Sequence, residues 1–154
     1  MKNYLHPYWV LVADSGSARI FELRKTPAEF RETHSLVSDA LHKRSSDLVS
    51  DNSGRSFNTQ GPAGHSKAQK SDPHELAEQE FSRKLADKLE LAANMNEFEN
   101  LMVIADPKTL GRLRSLMSKQ LRKRVTHEVN LDLVKMPLEK LKKKIKAQLG
   151  WLSH

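Results

Sequence analysis

Two short, uninterrupted apolar runs constrain the fold of this chain more than any other feature of its sequence. They occupy residues 8–13 (YWVLVA) and 101–105 (LMVIA), and an aspartate follows each of them. Runs of this length are too short to span a membrane, and next to turn residues they are typical of strands covered on both faces. We therefore predict that both are buried strands of one sheet with helices packed on it.

The segments around these runs predict three further strands. Residues 17–23 alternate in polarity after an Asp-Ser-Gly-Ser sequence, which predicts a hairpin turn in which Gly16 takes a positive φ. Residues 30–37 predict a third strand, so that the chain opens with a β-meander. Alternation over residues 125–134 predicts a half-buried strand with His127 on its apolar face.

Three helices are predicted by capping residues and by apolar side chains at helical spacing. Asp72-Pro73 and Asp106-Pro107 each supply an N-cap and a first-turn proline, and Pro137 opens the third helix. The order of elements predicts an α/β fold in a single domain over residues 1–154. Its expected architecture is a three-layer mixed sheet with an N-terminal β-meander and helices packed on the sheet.

Residues 38–74 differ in composition from the rest of the chain. They hold eight serines, three glycines and only seven apolar residues in 37 positions, which predicts a long exposed loop. Glycines and basic side chains are interspersed over residues 54–72, so we expect a basic loop tip that could reach into an RNA-lined site. The candidate RNA contacts in this loop are Arg55, Lys67 and Lys70.

The net charge of +7 is concentrated toward one end of the sequence. Residues 108–154 carry 13 Lys or Arg and 3 Asp or Glu, a net of +10, whereas residues 1–107 carry a net of −3. A one-signed excess favours an anionic partner, and we expect rRNA or tRNA rather than a membrane because no aromatic anchors lie opposite the charges. The candidate RNA-binding residues here are Arg112, Lys119, Arg122, Lys123, Arg124, Lys142, Lys143 and Lys146.

Several chemistries lack the residues that they need. The chain has no cysteine, which excludes disulfides and thiolate zinc sites, and it has no glycine-rich phosphate loop. We expect no cofactor and no metal. A nuclease-like carboxylate cluster of Asp14, Glu22, Asp106 and Asp132 is the alternative, although Asp14 suits a turn and Asp106 a helix cap. With no signal-peptide core or membrane span in the sequence, we expect a cytoplasmic protein and no integral membrane association.

Short motifs along nearly the whole chain carry a family resemblance. They are residues 9–21 (WVLVADSGSARIF), Gly54-Arg-Ser-Phe57, Asp72-Pro73, Phe81 and residues 101–107 (LMVIADP). Together with the basic tail, they resemble the bacterial host-attachment protein family, which is grouped with bacterial relatives of archaeal and eukaryotic peptide-chain release factors. The resemblance implies a three-layer α/β domain like the release factors' middle domain. It also places the long loop where release factors carry the Gly-Gly-Gln tip that positions water on peptidyl-tRNA.

The loop departs from that active pattern, because it has Thr59-Gln-Gly-Pro62 and the sequence contains no Gly-Gly-Gln. Gln60, Gly61 and His65 are catalytic candidates only by their position in the loop. We therefore expect an RNA- or ribosome-associated, release-factor-like protein rather than an enzyme. Two alternatives stay open: a non-catalytic host-attachment or interaction protein, and a peptidyl-tRNA ester hydrolase that uses residues 54–72. The sequence leaves the oligomeric state open.

Overall fold

A computed structural model describes residues 7–24, 29–41 and 72–150 of the chain. In these ranges the strands are β1 (Tyr8–Ala13), β2 (Ser17–Arg24), β3 (Glu29–Val37), β4 (Asn100–Ala105) and β5 (Val125–Asn130). The helices are α1 (Pro73–Asn94), α2 (Pro107–Leu116), α3 (Lys119–Arg124) and α4 (Leu138–Leu149). None of these helices combines the length and the apolarity needed to cross a lipid bilayer. Most of the predicted 38–74 loop lies outside the described residues.

The strands form one mixed sheet in the order β3-β2-β1-β4-β5. β1 pairs antiparallel with β2, and β2 pairs antiparallel with β3, which confirms the predicted N-terminal meander. β4 runs parallel to β1, and β5 runs parallel to β4. Parallel neighbours need crossover connections, and α1 precedes β4 while α2 and α3 lie between β4 and β5.

Both faces of β1 are buried, as its continuous apolar sequence predicts. On one face, Trp9 and Leu11 belong to a hydrophobic cluster with side chains of α1, α2 and α3. On the other face, Val10 and Val12 belong to a second cluster that includes Ile145 of α4. Helices therefore cover the sheet on both sides, and the predicted three-layer α/β architecture is confirmed.

Arg19 fastens the segment that precedes α4 to the sheet. It lies on β2 opposite Val12, and one guanidinium nitrogen donates to the carbonyl oxygens of Val134 at 3.1 Å and Met136 at 2.7 Å. Its other terminal nitrogen pairs with the carboxylate of Glu32 on β3 at 2.9 Å. The Arg19 side chain thus links β2 and β3 to the segment that leads into α4.

The turn between β1 and β2 is built on Asp14. One of its carboxylate oxygens accepts hydrogen bonds from the backbone N–H groups of Gly16 at 2.9 Å and Ser17 at 2.7 Å. The predicted hairpin is confirmed, but the prediction that Gly16 takes a positive φ is wrong. Gly16 instead allows the side chain of Leu41 to approach the turn closely, because an added Cβ would lie 3.1 Å from Cδ1 of Leu41.

A β-bulge makes β5 differ from its prediction. The register with β4 shifts so that Val125 and His127 oppose consecutive residues of β4, with Thr126 as the extra residue. Val125 therefore packs against the α1–α3 cluster, while Val129 packs against the α4 cluster. His127 is exposed on this edge strand, so its predicted core position is wrong, and the strand ends at Asn130.

The helix predicted after Asp106 is interrupted between α2 and α3. Ser118 is the N-cap of the second piece, because its hydroxyl accepts a hydrogen bond from the N–H of Leu121 at 3.0 Å. The backbone N–H of Ser118 donates to Glu90 of α1 at 2.7 Å. This contact joins residues far apart in the sequence. Helical periodicity alone predicted one continuous helix here, and the structure has two.

Replacing Leu85 with Ala should destabilise the fold far more than replacing Leu91 on the same helix. Leu85 is fully buried between α1 and the sheet, whereas Leu91 is 60% exposed. We expect Leu85→Ala to lower the free energy of unfolding by about 2–5 kcal/mol, because it leaves a cavity in the core. Leu91→Ala should change it by less than about 0.5 kcal/mol. Urea denaturation followed by circular dichroism measures both, and equal effects would contradict the described packing of α1.

Candidate functional site

The basic residues of the C-terminal third lie on two different surfaces. α3 packs on one face of the sheet through Leu121, and α4 packs on the other through Leu141 and Ile145. The chain changes sides through edge strand β5. The candidate cations of α3 and those of α4 are therefore separated by the thickness of the sheet.

Some of these cations are paired with carboxylates inside the protein. Glu75 and Glu78 on α1 face Lys108 and Arg112 on α2, and we call these four residues the α1–α2 ion cluster. A terminal nitrogen of Arg112 lies 3.2 Å from the carboxylate of Glu78, and the two side chains are only 13% and 10% exposed. Lys108 Nζ lies 3.1 Å from Glu75 and 3.4 Å from Glu78. Arg112, a predicted RNA contact, is placed in this internal network.

Hydrogen bonding within the α1–α2 ion cluster keeps both glutamates ionised. Burial raises the pKa of the Glu78 carboxyl, but hydrogen bonds from Ser15, Arg112 and Lys108 outweigh it and leave the pKa below its ordinary value of 4.5. The pKa of Glu75 is lowered by its hydrogen bonds with Lys108 first and Arg112 second. The same hydrogen bond with Glu75 raises the pKa of Lys108.

A crevice of about 540 Å³ opens beside this cluster, at the carboxyl end of β1. Gly16, Leu41, His74, Glu78 and Lys135 are among its lining residues. Leu41 and His74 lie near the two ends of the undescribed stretch 42–71. The loop candidates lie outside the described residues; they are Arg55, Gln60, Gly61, His65, Lys67 and Lys70.

Three of the four carboxylates of the alternative metal cluster are engaged in local structure. Asp14 holds the β1–β2 turn, and Asp106 accepts hydrogen bonds from the N–H of Thr109 at 3.2 Å and from its hydroxyl at 2.7 Å. Glu22 pairs with Arg24 at 2.7 Å. Among the described residues, no group of three or more His, Asp or Glu side chains is arranged to hold a metal ion.

A groove of about 880 Å³ lies at the amino-terminal end of the parallel strands, where β4 begins and α3 ends. We call it the amino-edge groove, and its lining residues are Asn96, Phe98, Glu99, Asn100, Gln120, Lys123 and Arg124. Arg124 is held by its neighbour Phe98, whose carbonyl oxygen accepts its hydrogen bond at 2.6 Å and whose ring centre lies 6.0 Å from the guanidinium carbon. Asn96 lies in the turn that follows α1 and has a φ of 56°, a left-handed conformation that asparagine tolerates.

Three cations of α3 lie next to this groove. Lys119, Arg122 and Lys123 line a shallow depression of their own, and we call them the α3 cation cluster. All three are exposed, and within the described ranges none of them forms an ion pair with a carboxylate. Because buried Leu121 and the cap at Ser118 hold α3, these side chains are directed outward. Lys123 lines both the depression and the groove.

The lysines of α4 form the other basic surface. Lys143 is exposed, while Lys142 is 27% exposed and lies 3.8 Å from the carboxylate of Glu139. Lys146 is half-buried on the same helix. Lys143 is therefore more accessible to a partner than Lys142 or Lys146.

The sequence predicted the cations but missed the amides of the amino-edge groove. Asn96, Asn100 and Gln120 come from a turn, a strand and a helix, and isolated amides in three elements produce no spacing pattern. Asn96 does carry a signal, because asparagine just past a helix is typical of a left-handed C-terminal position. That signal predicts where α1 ends and says nothing of a groove.

A family described as "protein required for attachment to host cells" matches residues 9–145. No curated protein matches. An archaeal translation termination factor is similar at 14% identity and a TM-score of 0.48, over 92% of this chain and 36% of that one. A Ppx/GppA phosphatase from Aquifex aeolicus, in its type II variant, is similar at 10% identity and a TM-score of 0.39, over 81% and 35%. This chain thus spans about a third of either structure.

Removing Arg112 should destabilise the protein more than removing Arg114 from the same helix. Arg112→Leu leaves the buried carboxylate of Glu78 without its guanidinium partner, and we expect the free energy of unfolding to fall by about 3 kcal/mol. Arg114 is 55% exposed and pairs with Glu128, so Arg114→Leu should cost less than about 1 kcal/mol. Chemical denaturation at neutral pH measures both values. Equal losses would mean that the α1–α2 ion cluster contributes no more than a surface pair.

The stability of the protein should depend on pH through Glu78. Its pKa is lowered on folding, so its contribution is complete above the ordinary value of 4.5 and is lost as the pH falls below that value. Glu78→Gln removes this titrating group, so the variant should lose less stability on acidification than the unmodified protein. Urea midpoints measured from neutral to acidic pH make the comparison. Parallel curves for the two proteins would contradict this role.

Proposed function

The chain belongs to the family of proteins described as required for attachment to host cells, and we propose that its own biochemical activity is to bind RNA in the cytoplasm. Ribosomal RNA or tRNA is the proposed partner. On this proposal, an attachment role of the chain is indirect, because it acts through RNA rather than by contact with a host surface. The phosphate backbone would be held chiefly by the α3 cation cluster.

The observation that carries the proposal is the contrast between paired and unpaired cations. Lys108, Arg112 and Arg114 are matched by carboxylates of the protein itself, so much of their charge is already satisfied. Lys119 and Arg122 belong to a cluster of exposed cations with no carboxylate partner among the described residues. Like charges that line one depression repel one another. Phosphates relieve that repulsion, and their binding releases counterions from the RNA.

A direct attachment or interaction protein without catalysis is the second candidate, and the family description favours it. Such a protein would use its surfaces to bind another protein, and RNA affinity would be weak and unrelated to the α3 cation cluster. Peptidyl-tRNA hydrolysis stays a prediction from the sequence, because its candidates Gln60, Gly61 and His65 lie outside the described residues. The proposal therefore concerns binding and assigns no reaction.

Neutralising the α3 cation cluster should weaken RNA binding more than neutralising an equal charge on α4. The test variant is Lys119→Gln, Arg122→Gln, Lys123→Gln, and the control is Lys140→Gln, Lys143→Gln, Lys144→Gln, which also removes three exposed cations. We expect the test variant to bind tRNA or an rRNA fragment at least about 10-fold more weakly at low salt, and its dependence of log K on log salt to fall by about 2–3.

Fluorescence anisotropy with labelled RNA over a salt series measures both quantities for the two variants. The proposal requires the control to keep most of its affinity and most of its salt dependence. If both variants lose affinity equally, the attraction is a property of net charge alone and the assignment to α3 is wrong. If the unmodified protein binds neither RNA at low salt, RNA binding is not its activity.

A further inference from the structure

The residues lining the amino-edge groove differ in chemistry from the α3 cation cluster beside it. The groove brings together three side-chain amides, from Asn96, Asn100 and Gln120, with the carboxylate of Glu99. Lysine and arginine side chains only donate hydrogen bonds and so suit phosphates, whereas each side-chain amide both donates and accepts. The amides of the groove are thus suited to a group that both donates and accepts hydrogen bonds, and Lys123 and Arg124 lie on the same lining.

We infer that the amino-edge groove binds an unpaired base of RNA while the α3 cation cluster holds the adjoining phosphates, an inference that rests on the proposed function. A side-chain amide presents a donor and an acceptor side by side, which matches the edges of nucleobases. Three amides in a single groove therefore match base edges in both donors and acceptors.

Arg124 provides a flat surface at the side of the groove. Its hydrogen bond to the carbonyl oxygen of Phe98 and its position over the Phe98 ring hold the guanidinium plane in one place. Guanidinium planes stack on nucleobases in single-stranded RNA recognition. Because the plane is fixed before any ligand arrives, little side-chain entropy would be lost when a base stacks on it.

Lys123 connects the two surfaces, since it lines both the groove and the depression of the α3 cation cluster. A backbone phosphate bound there would carry its own nucleotide to the mouth of the groove. In a duplex the base edges are occupied by pairing and the A-form major groove is too narrow for side chains to enter. The site therefore selects single-stranded segments over duplex RNA.

The experiment compares a short single-stranded RNA with a duplex that contains the same strand. We expect the unmodified protein to bind the single strand about 10-fold more tightly, in the range that base-edge contacts provide. The test variant is Asn96→Gly, Asn100→Ala, Gln120→Ala, in which glycine keeps the left-handed backbone at position 96. It should lose this preference while the dependence of log K on salt stays unchanged, because that slope reports phosphate contacts.

Two further proteins keep the test decisive. Gln79→Ala, Asn130→Ala, Gln148→Ala removes three exposed amides away from the groove and should keep the preference. Gln120→Ala alone changes one exposed helical position, so it reports on the groove even if the triple variant does not fold, and it should reduce the preference in part.

The possible results separate this inference from the proposed function. Equal affinity of the unmodified protein for single strand and duplex overturns the inference and leaves RNA binding by α3 intact. Loss of the preference in the Gln79, Asn130 and Gln148 control also overturns it, as does an unchanged preference in the Gln120→Ala protein. Absence of binding to either RNA overturns the proposed function itself, and the inference falls with it.

Discussion

The burial of β1 on both faces is the constraint on which the rest of the structure depends. A strand made of six consecutive apolar or aromatic residues cannot present either face to water, so it needs a partner strand on each edge and a helical layer on each side. β2 and β4 supply the edges, α1 to α3 supply one layer, and α4 supplies the other. The path of the C-terminal segment follows from this need, because it has to cross the sheet edge through β5 to reach the uncovered face.

Counting charges along the sequence overstates how much of the basic excess is available to a partner. The tail has a net charge of +10, yet Lys108, Arg112 and Arg114 meet carboxylates contributed by α1 and β5. These pairs join elements and have a structural role. What remains is divided by the sheet into separate surfaces, and the surface of α3 adjoins the amino-edge groove. Location, more than total charge, therefore distinguishes the candidate site.

Local signals in the sequence were enough to predict most of the architecture. Runs such as 8–13 and caps such as Asp72 and Asp106 act within a few residues, so strands, helix starts and the mixed sheet could be predicted correctly. The errors arose where distant residues decide. The bulge at Thr126 depends on pairing with β4, and Ser118, which separates α2 from α3, is hydrogen-bonded to Glu90 of α1. The candidate site shows the same difference, because its cations form a run along the chain, whereas the groove amides meet only after folding.

The placement of α4 has a consequence for the order in which the protein can mature. The helix that covers the second face of β1 lies more than a hundred residues after that strand in the chain. Until residues 138–149 leave the ribosome, Val10, Val12 and Phe21 have no helical cover, even if the sheet and α1 have already assembled. Nascent chains in this state expose an apolar sheet face, which is the condition that invites aggregation or chaperone binding. Arg19 gains these contacts late, because its carbonyl partners Val134 and Met136 are made more than a hundred residues after it.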